Sequence, residues 1–167
     1  METILCIETA TNFCSVAIFR EGNMIALIES DLANTHSKTL TVFIEKLLKE
    51  NLIKPKEISH VSVSSGPGSY TGLRIGVSAA KGFCYGLGIP LIMLPTTEII
   101  AQGCILETEV KQGELICAMI DARRMEVYQA LYDKTLNQIG KIESHVIESE
   151  SYLELLKSHI VHFCGNG

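Results

Sequence analysis

The feature that most constrains the fold is a strand that runs into a glycine-rich turn and straight on into a long helix. Ile58 to Ser64 reads as a strand, and Ser65-Gly66-Pro67-Gly68-Ser69-Tyr70-Thr71-Gly72 as the turn. The helix then lasts to about Leu87, where Gly88 stops it, and Leu91 to Leu94 returns as a short buried strand after Pro90. Glycines in such a turn bring bare backbone close to something, and a helix N-terminus is electropositive. The spacing fits neither G-x-x-x-x-G-K-[ST] nor a clean G-x-G-x-x-G. An anion site and a purely structural turn both remain open.

The helix itself carries two apolar stripes. Leu73, Val77, Ala80, Cys84 and Leu87 share the face expected to pack on a sheet, and Gly72, Ile75, Gly76, Ala79 and Phe83 lie beside it. Gly72, Gly76 and Ala80, spaced by four, lower the helix surface so that a neighbour can come close. That neighbour is either the first helix of the same chain or a partner subunit.

Around this unit the pattern is α/β. Residues 3–8, 14–19 and 24–28 form a three-stranded meander, followed by an amphipathic helix from Ser37 to Glu50 with Leu40, Phe43, Ile44, Leu47 and Leu48 on one face. Thr96 or Thr97 caps a helix to about Ile105. Beyond it come a hairpin (115–121 and 125–133), a strand at 139–147, a helix at 150–159 and a strand at 160–164. No internal sequence repeat is evident. Composition turns acidic near residue 105, so the expected domains are 1–104 and 105–167, and Gly165-Asn166-Gly167 reads as a cut rather than a finished end.

With 47% hydrophobic and 20% charged residues among 167, the chain is an ordinary globule, and its net charge of −5 leaves no basic excess for holding nucleic acid directly. Arg74, Lys81, Arg123 and Arg124 are read mainly as solvated charges. No apolar run is long enough for a bilayer and no secretory signal is present, so a cytoplasmic location is expected. The six cysteines form no C-x-x-C pair and are read as buried small hydrophobes; His159 and His162 are not read as a metal site.

Four segments resemble the TsaB/YeaZ family: ILCIETATNFCSV at 4–16, His36-Ser37 opening the first helix, SGPGSYTGLRIG at 65–76, and IDARRMEVY at 120–128. The resemblance implies an actin-like/Hsp70-like ATPase (ribonuclease H-like) fold, a mixed sheet flanked by helices, with an N-terminal lobe and a second lobe reduced and cut short. It implies a non-catalytic scaffold and activating subunit of the machinery that makes N6-threonylcarbamoyladenosine at position 37 of tRNA. The implied partners are the catalytic paralogue TsaD and the ATPase TsaE, with tRNA met only through the complex and a homodimer in the partner's absence. The family was formerly filed with M22 glycoprotease-like peptidases.

On this reading the partner surface comprises Val42, Gly72, Ile75, Gly76, Ala79 and Phe83. Thr9, Thr11, Ser65, Gly66, Gly68 and Ser69 are candidates for a nucleotide cleft, with ATP or ADP at a partner interface as the only cofactor considered. No catalytic residue and no metal site are expected. The catalytic paralogue holds its metal with His-x-x-x-His, whereas Leu40 stands four residues after His36 here; Glu8 stands where most relatives carry Asp, and no G-x-S-x-G occurs. The alternative reading is a metalloprotease-like or nucleotide-binding enzyme of the same superfamily.

Overall fold

A computed structural model describes residues 2–30 and 36–167, the side chains of 36–38 excepted. The chain divides into two compact units, Met1–Leu94 and Pro95–Gly167.

In the first unit, β1 (Thr3–Glu8), β2 (Cys14–Arg20) and β3 (Asn23–Ser30) form the expected antiparallel meander. Helix α1 (His36–Glu50) comes next, then β4 (His60–Ser64), α2 (Tyr70–Leu87) and β5 (Leu91–Leu94). β4 lies parallel to β1, and β5 parallel to β4, which gives the order β3-β2-β1-β4-β5. Alternation along the strands sends Leu5, Ile7, Val16, Ile18, Val61 and Val63 to one face, where α1 and α2 cover them. Helix α1 contributes Leu40, Ile44, Leu47 and Leu48, at the i, i+4, i+7 and i+8 positions of a core-facing stripe.

Both ends of α2 follow local chemistry. The Ser69 hydroxyl accepts the Gly72 N–H at 3.2 Å as N-cap, and Gly88 closes the helix with φ +67°.

The second unit begins with α3 (Thr96–Glu107), continues through β6 (Leu115–Arg123), β7 (Glu126–Tyr132) and β8 (Gln138–Val146), and ends with α4 (Leu153–Ser158) and β9 (Val161–Gly165). The shift in composition puts the boundary at 104/105. The unit instead takes in α3, because that helix packs on β6, β7 and β9 and buries Ala101 with Ile116, Ala118, Ala130 and Tyr132. Thr97 and Tyr132 hydroxyls share a buried hydrogen bond of 2.9 Å. Helix α4 is shorter than the expected 150–159.

The second sheet has the order β8-β7-β6-β9, with β9 parallel to β6. Its meander, helix and parallel fourth strand repeat the first unit without repeating its sequence. Each unit also seats a glycine against backbone of its own first strand or of the turn just after it. A Cβ on Gly68 would overlap the Ala10 carbonyl, and one on Gly165 would overlap the Met119 carbonyl. No helix among the described residues is long and apolar enough to cross a membrane.

Leu40 is 1% exposed and Val42, two residues on, is 56% exposed. Leu40→Ala should therefore lower the unfolding free energy by about 3 kcal/mol, while Val42→Ala should change it by less than about 0.5 kcal/mol. Urea titrations of the two variants check this ordering.

Candidate functional site

The end of β1 and the start of α2 are locked together. The Thr9 hydroxyl is fully buried and donates to the Gly72 carbonyl at 2.8 Å. A Cβ on Gly76 would overlap Thr9 Oγ1, so a glycine nearly two turns into the helix is what lets the strand end approach. Ser69 N–H donates to the Ala10 carbonyl at 2.6 Å, and Ser65 N–H to the Leu94 carbonyl at 2.8 Å. The loop's backbone thus comes close to the chain's own β1 turn, and the Ser69 amide is engaged there.

Glu8 sits at the same point. Its Oε1 accepts the Ala10 N–H at 2.6 Å and the Ser64 hydroxyl at 2.9 Å. Burial raises its carboxyl above the ordinary glutamate range, and the hydrogen bonds from Ala10 and Ser64 offset part of that. The parallel register that sets Ile7 beside Val63 carries Glu8 to Ser64 one residue later. Nothing local in the sequence signals this bond.

The six cleft candidates fall in this region but differ in what they offer. Thr9 is buried and bonded to Gly72, while Thr11 is half-buried and accepts the Phe13 N–H at 3.3 Å. Ser65 and Ser69 are exposed, and Gly66 and Gly68 are half-buried with φ of +104° and +151°. The His36 side chain lies outside the described residues, and Leu40 is committed to the core. Among the described residues no three His, Cys, Asp or Glu side chains gather as a metal-binding group.

The outward surface of α2 requires a correction. The partner-facing stripe expected from the sequence includes Gly72 and Gly76, but both are buried on the strand end, in a row continued by Ala80 and Cys84. This small-residue row is the centre of one broad apolar arc. Leu73, Val77 and Leu87 flank it on one side and Ile75, Ala79 and Phe83 on the other, all half-buried. Ile75 also lines a shallow pocket of about 320 Å³ with Thr71, Arg74 and Ser78. The Arg74 guanidinium stands 5.5 Å from the centre of the Tyr70 ring. Val42 stands outward on α1, which packs beside α2.

The family model described as TsaD, tRNA N6-adenosine threonylcarbamoyltransferase, matches residues 29–158. The tRNA threonylcarbamoyladenosine biosynthesis protein TsaB of Escherichia coli K12 is 34% identical over 159 residues, 95% of this chain and 64% of that protein. The protein of the same name from Buchnera aphidicola subsp. Acyrthosiphon pisum is 31% identical, over 93% of this chain and 69% of that one. The chain belongs to the TsaB/YeaZ family. Among solved structures, YeaZ from Pseudomonas aeruginosa superposes with a TM-score of 0.80 at 28% identity, covering 89% of this chain and 70% of that one. The fold is the expected actin-like, ribonuclease H-like one, a mixed α/β sheet architecture flanked by helices. The chain spans 58 to 66% of the length of three curated TsaB relatives.

Two outcomes test the locked corner. Gly76→Ala should destabilise by about 1–3 kcal/mol through overlap with Thr9, and adding Thr9→Ala should relieve part of that. A double-mutant cycle in urea checks it; purely additive losses would contradict the contact. Second, the folded state holds the Glu8 proton more tightly than the unfolded chain does. The contribution of Glu8 to stability is therefore greatest below its ordinary value of 4.5 and is lost as pH rises through the raised one. The stability difference between wild type and Glu8→Gln should move with pH across that window, and parallel curves would contradict the shift.

Proposed function

We propose that this chain is a non-catalytic scaffold and activating subunit in the synthesis of N6-threonylcarbamoyladenosine on tRNA, docking a TsaD-type catalytic paralogue through the outer flank of α2 and the adjoining face of α1. The observation that carries the reading is the partly buried row Ile75, Ala79 and Phe83 at the edge of the core, joined by Val42 at 56% exposure. An apolar edge of the core that continues into an exposed valine is a surface suited to binding protein. The names of the relatives supply the pathway.

Catalysis in this scheme belongs to the paralogue. Leu40 occupies the position where a second metal-binding histidine would stand, and it is buried in the core. A net charge of −5 suits a subunit that supports a tRNA-binding partner more than one that grips phosphates itself. A TsaE-type ATPase completes the assembly, and any ATP or ADP is held where subunits meet, with Ser65 to Ser69 at its edge. Without its partner the same α2 flank pairs two copies of the chain, since a self-complementary apolar row favours a two-fold dimer.

The test uses the purified chain and a TsaD-type paralogue. Val42→Glu and Ala79→Glu, alone and together, should retain the wild-type circular dichroism spectrum and weaken binding at least tenfold, about 1.4 kcal/mol. Binding as tight as wild type by the folded double variant overturns the docking assignment. Isothermal titration or biolayer interferometry reads the affinity.

A further inference from the structure

Cys104 and Cys164 lie sixty residues apart in sequence and meet in the second unit. Cys104 is in the last turn of α3, and Cys164 is on β9, which packs against that helix. Both side chains pack into the same cluster and line the same pocket, and Cys164 Sγ approaches the Cys117 carbonyl at 3.7 Å and the Ile100 carbonyl, one helical turn before Cys104, at 4.0 Å. Strand alternation selects this pair. Cys164 is in register with Ala118 and faces α3, whereas Cys117 is in register with Phe163 and belongs to the cluster on the opposite face.

Neither thiol is sealed in. Both are half-buried and line a pocket of about 380 Å³ together with Gly103, Glu107, His162 and Phe163. Gly103 leaves open space beside Cys104, since a Cβ there would meet nothing within 4 Å. His162 Nε2 is engaged with Glu114 Oε2 at 2.7 Å. The pocket therefore presents two adjacent sulfurs with room for a small molecule.

We propose that Cys104 and Cys164 are a reversible dithiol–disulfide pair, oxidised by a small hydroperoxide that enters the pocket between α3 and β9. Cys104, beside the open space at Gly103, is placed for the first attack, while burial, together with the neighbouring Cys104, pushes the Cys164 thiol up to about 12 and suits it to the second step. The Cys104 sulfur attacks the terminal peroxide oxygen and the O–O bond breaks. The alkoxide or hydroxide leaves with a proton from solvent, and Cys104 becomes a sulfenic acid. The Cys164 sulfur then attacks the Cys104 sulfur; the S–O bond breaks, and hydroxide leaves with the Cys164 proton as water. Two thiols and one hydroperoxide thus give one disulfide, one alcohol or water, and one further water. A dithiol reductant reverses the bridge by exchange. Closed, the bridge fastens α3 to the edge strand of the second sheet.

The experiment treats the full chain with excess hydrogen peroxide at pH 8 in the presence of a chelator, then counts thiols in denaturant and maps peptides by mass spectrometry. The six thiols should fall to four, with a linked Cys104–Cys164 peptide recovered and dithiothreitol restoring all six. In Cys164→Ser, dimedone should label Cys104 as the trapped sulfenic acid. Six thiols surviving in wild type while glutathione in the same tube is fully oxidised, or a linked peptide of a different pairing, overturns the proposal. The wild-type map decides even if a variant fails to fold.

Discussion

Thr9 can reach α2 only because Gly76 has no side chain, and the rest of the first unit is arranged around that approach. The Thr9 hydroxyl, fully buried, is satisfied by the Gly72 carbonyl one turn earlier. The same corner draws the glycine loop onto Ala10 and Glu8 onto Ser64. A helix held this close to its sheet must present small residues at the centre of its buried face, and Gly72, Gly76, Ala80 and Cys84 form that row. Larger apolar side chains are displaced to the flanks. That displacement leaves Ile75, Ala79 and Phe83 partly buried at the edge of the core, so the packing that builds the monomer also shapes the surface we propose for a partner.

The second unit reaches a similar sheet by different means. A meander and a parallel fourth strand recur, and Gly165 lies against Met119 in the middle of β6, whereas Gly68 lies against Ala10 just past the end of β1. The covering differs. Helix α3 enters from before the meander and packs on β6, while α4 is six residues long and leaves β8 largely exposed. The strand arrangement is therefore shared without a shared hydrophobic pattern, which is why no repeat is visible in the sequence.

Features set by neighbouring residues are legible in the sequence. The meander, the core stripe of α1 and the Gly88 stop of α2 each follow from short-range chemistry. The apolar breadth of α2 is legible too. Its orientation is not, because a helical wheel fixes the angles between residues but not which angle points at the sheet; only Thr9 shows that Gly72 and Gly76 face inward. The Glu8–Ser64 bond and the Cys104–Cys164 meeting arise from register and from helix-on-sheet packing across 56 and 60 positions respectively. Neither contact leaves a local signature. The unit boundary is displaced for a similar reason: composition changes after α3, but α3 packs with the later strands β6, β7 and β9.

In the function we propose, the partly buried flank of α2 holds another protein. Amide hydrogen exchange of the chain, alone and mixed with a purified TsaD-type paralogue, reads that surface directly. On mixing, exchange should slow in peptides covering residues 71–86 of α2 and 39–46 of α1. Binding that slows exchange only outside these two segments would contradict the proposal.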